Sequence, residues 1–174
     1  ATTEIYTLSL HDAFRSWMEV ALDDLLATIK MIDVLSINDE EARQLSGEYS
    51  LVKAAKKIMA MGPKYLIIKK GEHGALLFGE DKIFYVPALP LEDVFDPTGA
   101  GDTFAGGFIG HLAKKGGDVA FEDMAEAIIV GSAMASFCVE KFGTERLVKL
   151  SQEEIDQRVA KFSDLVATSR GIAM

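Results

Sequence analysis

A single cysteine and a shortage of positive charge narrow the possibilities before any motif is read. One thiol, Cys138, cannot build an intramolecular disulfide framework, and this suits a reducing compartment. It falls in the apolar run 133–139 and reads as a buried small hydrophobe rather than a nucleophile. Lysine and arginine total 18 against 27 aspartates and glutamates, for a net charge of −9. A nucleic-acid or anionic-membrane partner would be repelled by such a surface. No apolar run approaches the roughly 20 residues that span a bilayer. No basic segment leads into an apolar stretch with a cleavage site, so the expectation is a cytoplasmic protein. A Walker-type Gly-x-x-x-x-Gly-Lys-Ser/Thr is missing, and so is a Gly-x-Gly-x-x-Gly placed after the first strand, which argues against P-loop and dinucleotide-binding readings. There is no internal repeat, low-complexity tract or linker.

What is present is an ordinary globular composition, 49% hydrophobic and 26% charged over 174 residues. That length suits one domain, 1–174, with a sizeable core. Residues 4–10 carry a weakly marked strand. Residues 13–30 show apolar side chains at helical spacing, from Phe14, Trp17 and Met18 through Leu25 and Ile29. A short apolar run, 32–37, is of the kind buried in parallel sheets. A helical turn over 39–45 ends at Gly47, and Ser50 is placed to cap a helix that stops at Gly62-Pro63. Strands follow at 65–68, 74–78 and 82–86, the last two joined in hairpin fashion through Gly79-Glu80-Asp81. Helices are expected over 100–115 and 121–141. Ser151-Gln152-Glu153-Glu154 is a capping box that opens a final helix to about residue 168. Strands alternating with helices imply an α/β fold with a largely parallel sheet.

Two stretches carry chemistry. In Asp96-Pro97-Thr98-Gly99-Ala100-Gly101-Asp102-Thr103-Phe104-Ala105-Gly106-Gly107, glycines allow a tight turn immediately before a helix. The free amides and positive dipole end of that helix form an anion hole suited to phosphate oxygens. Asp102, in the first turn, is placed to accept a proton from a hydroxyl attacking a phosphorus atom there. The plainer reading of an isolated Gly-Ala-Gly-Asp is a packed loop–helix junction with Asp102 complementing the dipole. In Asn38-Asp39-Glu40-Glu41-Ala42, an amide and a carboxylate follow a buried strand, where ligands gather in open α/β sheets. They can organise water around Mg²⁺ on nucleotide phosphates, or simply cap the helix that follows.

Over its whole length the 96–107 string resembles the Asp-x-Thr-Gly-Ala-Gly-Asp-x-Phe signature of the ribokinase-like PfkB family of carbohydrate and nucleoside kinases. Asn38 to Glu41 resembles the family's Asn-x-x-Glu element, in the family's order. The resemblance implies a ribokinase-like fold, a three-layer αβα arrangement with a largely parallel sheet flanked by helices. It implies ATP and Mg²⁺ as cofactors and phosphoryl transfer to a sugar or nucleoside hydroxyl. The amides of Gly99, Ala100 and Gly101 would stabilise charge on the γ-phosphoryl group, and Asp102 would be the base. Glu41 would act on Mg²⁺ through water, with Asn38 beside it. Asp96 and Thr98 match positions that in many members hold a monovalent cation, K⁺ being the candidate. Gly71 and Gly74 match the glycines of a Thr-x-Gly-x-x-Gly loop near the nucleotide; Lys69 replaces the threonine, as a phosphate contact or a surface residue. Ser132, Ala135 and Gly143 match the border of the adenine pocket, although small residues on a helix also serve close packing. His11, His73 and His111 have no metal-ligand partners at useful spacing.

The match is good over about 30–145, whereas residues 1–12 match poorly. The family's N-terminal half, with its lid and most sugar contacts, is missing from this sequence. An exposed sheet edge would favour self-association into a homo-oligomer. Without a lid, phosphoryl transfer would be weak. The alternative is a truncated nucleotide-binding fragment without useful turnover.

Overall fold

The computed structural model describes residues 7–9 and 13–166. Its five-stranded sheet runs in chain order, β1 (Thr7–Ser9), β2 (Val34–Asn38), β3 (Tyr65–Lys69), β4 (Ala75–Gly79) and β5 (Lys82–Val86). The first three strands pair in parallel, and β4 and β5 add antiparallel neighbours. The mixture follows from linker length. Two residues join β4 to β5, enough for a hairpin but far short of a parallel crossover. Both linker residues, Glu80 and Asp81, have positive φ (50° and 60°), the geometry that matches the strands' twist. Glu80 is held there by the Tyr65 hydroxyl, which donates to it at 2.7 Å.

Alternation along the strands sends side chains to two separate cores. Val34, Ile67, Leu77 and Val86 face one side, against α5 (Ala100–Lys115), α6 (Phe121–Cys138) and α7 (Gln152–Val166). Leu35, Ile37, Leu66, Ile68 and Phe78 face the other, against α2 (Leu22–Ile29), α3 (Asp39–Ser46) and α4 (Leu51–Met59). This is the expected three-layer αβα sandwich. Complete burial of a side chain such as Phe108 or Ile67 contributes about 1.5–3 kcal/mol.

The single helix expected over 13–30 is in fact two, α1 (Ala13–Val20) and α2, broken at Ala21 (φ −147°). Asp23 and Asp24 fall in the first turn of α2, where they favour a new helix start. Among the stripe's described side chains, Leu25 and Ile29 are buried, Met18 packs half-buried against the same core, and Trp17 and Leu22 are exposed. Ser50 occupies the N-cap of α4 but makes no side-chain capping bond. The box at Ser151 forms as expected, its hydroxyl accepting from the Glu154 amide and the Glu154 carboxylate accepting from the Ser151 amide.

The two longest helices, α5 and α6, pack at unusually close range. A Cβ on Gly131 would lie 2.8 Å from the Phe104 carbonyl oxygen, and one on Gly107 would lie 2.8 Å from Met134 Cγ. Glycine at these positions sets where α5, and therefore Asp102, sits over the sheet.

Candidate active site

The sheet's carboxyl end brings the two sequence motifs together. Gly99 caps α5 in the left-handed conformation, φ 80°, which a side chain would strain. Just before it, Asp96 accepts a hydrogen bond from the Thr98 amide at 2.9 Å. That amide, and after it the Thr98 hydroxyl, hold the Asp96 carboxyl below its usual range. The Ala100 amide donates to Pro97 O at 3.1 Å, so it closes the turn. Asp102 is exposed in the first turn.

A second tether fixes this loop, and sequence reasoning missed it. The Cys138 thiol, buried at the end of α6, donates to Thr98 O (3.6 Å), and the Phe95 amide donates to Val139 O at 2.9 Å. Cys138 is buried, as expected, and it also tethers the turn at Thr98. No motif signalled this, because the two partners stand 40 residues apart.

Asn38 and Glu41 form a reciprocal capping box. The Asn38 amide donates to Glu41 Oε2 at 2.7 Å, and the Glu41 amide donates to Asn38 Oδ1 at 2.8 Å. Of the two roles open to this motif, capping is therefore present. It holds the buried Glu41 carboxylate at the end of β2. Asn38 lies opposite Lys69 in the β2–β3 register. Lys69 is half-buried, and the Glu41 and Asp102 carboxylates both act on it. Burial pushes its ammonium below the usual range, and the two carboxylates only partly restore it. Lys69 is thus the residue through which the two motifs meet.

The loop that follows is tightly built. Gly74 has φ 88°, and a Cβ there would lie 2.0 Å from Val86 O, so close backbone approach demands glycine. Gly71 also has a positive φ, with open space beside it. The Tyr85 hydroxyl donates to His73 O at 2.8 Å, and the Lys70 ammonium lies 5.9 Å from the Tyr85 ring centre. Ser132 and Ala135 are half-buried on α6, and Gly143 is exposed beyond it in a left-handed conformation.

Two shallow concavities of about 410 and 520 Å³ lie elsewhere, beside Leu89 and Lys161 and beside Arg43 and Tyr49, and include none of the candidate residues. Among the described residues no three His, Cys, Asp or Glu side chains gather to cage a metal.

With this geometry in hand, the chain matches the pfkB family carbohydrate kinases over residues 1–149. The chain belongs to the pfkB family. The match begins at residue 1 and so takes in the first dozen residues, which the motifs did not reach. The chain is 31% identical over 124 residues to a cytidine kinase of Thermococcus kodakarensis, covering 70% of this chain and 42% of the relative. It is 30% identical over 143 residues to a ribokinase of Haemophilus influenzae, covering 79% and 44%. Its fold superposes on aminoimidazole riboside kinase from Salmonella enterica, solved with aminoimidazole riboside and an ATP analog. There the TM-score is 0.73 and the identity 27%, over 89% of this chain and 51% of that one. This pfkB chain therefore spans about half the length of the relatives it matches. No helix among its described residues is long and apolar enough to cross a membrane.

Proposed function

We propose that this pfkB chain is the nucleotide-binding, catalytic portion of an ATP-dependent kinase that phosphorylates a hydroxyl of a sugar or nucleoside. The observation that carries the reading is the left-handed turn at Gly99 opening α5, with Asp102 in its first turn and Lys69 and Glu41 across from it. Asp102 accepts the proton of the acceptor hydroxyl as its oxygen bonds to the γ-phosphorus and the β,γ-bridging bond breaks, releasing ADP. The Gly99 and Gly101 amides receive the charge that gathers on the phosphoryl oxygens. Glu41, steadied by Asn38, would hold Mg²⁺ through water, and bound Mg²⁺ would neutralise the β- and γ-phosphates. Asp96 and Thr98 are candidates for a monovalent cation such as K⁺. Gly71, Gly74, Ser132, Ala135 and Gly143 are candidates for the nucleotide's walls. Relatives that include a cytidine kinase, a ribokinase and a fructokinase support a sugar or nucleoside hydroxyl as the acceptor class.

A second reading, a nucleotide-binding fragment without useful turnover, is favoured by the chain's half-length coverage of its relatives. The D102N variant separates the two. Under the kinase reading, the wild type forms ADP in a coupled assay with ribose or cytidine, and D102N loses at least ~100-fold in turnover while binding ATP with similar affinity. Turnover that persists in D102N would remove Asp102 as the base. Calorimetric ATP binding with no turnover in the wild type would establish the fragment reading.

A further inference from the structure

We propose that Arg158, on α7, is a positioning residue for the turn at Gly99 and acts on it through the end of α6. What the turn does rests on the kinase reading; what holds it rests on packing. Four consecutive residues close α6, and they are held from two sides. On the side of the turn, the Cys138 thiol donates to Thr98 O and Val139 O accepts from the Phe95 amide. On the other side, two arginines grip Phe137 and Glu140. The Arg158 guanidinium carbon lies 3.8 Å from the Phe137 ring centre and that of Arg146 lies 5.1 Å away. Arg158 donates to Glu140 Oε1 at 2.6 Å, and Arg146 donates to Glu140 Oε2 at 3.1 Å.

Of the two, Arg158 is the better buried, its side chain 12% exposed against 26% for Arg146. It also donates to Ser136 Oγ at 2.9 Å, while that hydroxyl donates to Ala133 O at 2.7 Å. A planar fork stacked on a ring and bonded to two partners fixes the helix end in one orientation, which a flexible ammonium cannot do. Helix ends otherwise fray, because their last carbonyls lack partners within the helix. Removing Arg158 leaves the half-buried Glu140 with one arginine and the buried Ser136 hydroxyl without its donor. Movement of this end passes directly to Phe95 and Thr98, which bond to residues 138 and 139. Thr98 adjoins Gly99, whose carbonyl accepts from the Thr103 amide at 2.9 Å as α5 begins.

The test is amide hydrogen exchange of the folded chain followed by NMR, read at Phe95, Thr98 and Ala100, with the amides of β3 reporting global opening. R158M should speed exchange at the three turn amides by on the order of 10- to 100-fold, the loss of one charged hydrogen-bonding contact, and leave β3 far less affected. E140Q, which weakens the same ion pair from its other partner, should give the same pattern at smaller amplitude and serves if R158M does not fold. K115M is the control, because it breaks the ion pair between Lys115 and Asp123 at the opposite ends of α5 and α6; its turn amides should match wild type. Turn amides that exchange as in wild type in both R158M and E140Q overturn the proposal, as does an equal acceleration in K115M. In a coupled ADP assay, R158M should lower kcat by about 10-fold or more with the acceptor KM little changed, and K115M should lower neither. A fall in kcat without faster exchange at the turn also overturns the proposed route. Faster exchange at the turn in a chain whose wild type shows no turnover keeps Arg158 as the positioning residue and refutes the kinase reading.

Discussion

Replacing Gly131 by alanine would press on the helix that carries Asp102. The new Cβ would lie 2.8 Å from the Phe104 carbonyl oxygen and 3.2 and 3.3 Å from two carbons of its ring. Phe104 is two residues beyond Asp102, and a helical carbonyl cannot rotate out of the way, so α5 and α6 must separate. Overpacking of this kind costs about 1–3 kcal/mol. Against it stands a gain of about 1 kcal/mol from removing glycine inside a helix, leaving G131A destabilised by about 1 kcal/mol. Gly110 provides the reference, since a Cβ there meets nothing within 4 Å and the residue is exposed on α5. G110A keeps the helix gain without the clash and should be stabilised by up to about 1 kcal/mol. The spread of about 2 kcal/mol corresponds to roughly 4–8 °C in melting temperature for a chain of this size. G107A should fall between the two, because its nearest neighbour is the flexible Met134 side chain. Thermal melts followed by circular dichroism read the series directly. G131A melting at or above G110A would refute the claim that glycine at 131 is required by helix approach.

Two titrations give signed pH effects. The Tyr65 hydroxyl is pushed up to about 12, first by burial and then by its hydrogen bond to Glu80. Its contribution is complete below about pH 10 and is lost as pH rises toward about 12, a swing of about 2–3 kcal/mol; a Y65F variant whose alkaline stability falls as steeply as that of wild type would refute this. Glu154 is held down to about 2, first by the Ser151 amide and then by Arg146. Its contribution is present above about pH 4.5 and is lost as pH falls through about 2, so E154Q should show a shallower acid limb in pH-dependent melts, and an unchanged limb would contradict the assignment.

Much of the fold was legible because its determinants are local. Helix α5 starts at Ala100 and ends at Lys115 as expected, bracketed by Gly99 and Gly116, which both adopt positive φ. The hairpin at Glu80-Asp81 and the box at Ser151 were readable because their partners lie within a few residues. The left-handed turn at Gly99 and the place of Asp102 in the first turn of α5 were likewise contained in one contiguous string. The dual nature of Asn38 and Glu41 was also visible, and the structure supplies the capping half of it directly.

No glycine or proline near Ala21 announces a break, yet the chain turns there, and the buried side chains that follow, Leu25 and Ile29, lie on α2. That Lys69 is half-buried and feels the charges of Glu41 and Asp102 depends on the β2–β3 register and on where α5 rests, which no short window of residues contains. The tether from Cys138 to Thr98 and the approach of Gly131 to Phe104 are of the same kind. The sequence by itself determined which turns, caps and strand faces form, since those depend on neighbours a few residues away. Tertiary structure alone decided which charges meet, since that depends on distances set by close packing between elements far apart in the chain.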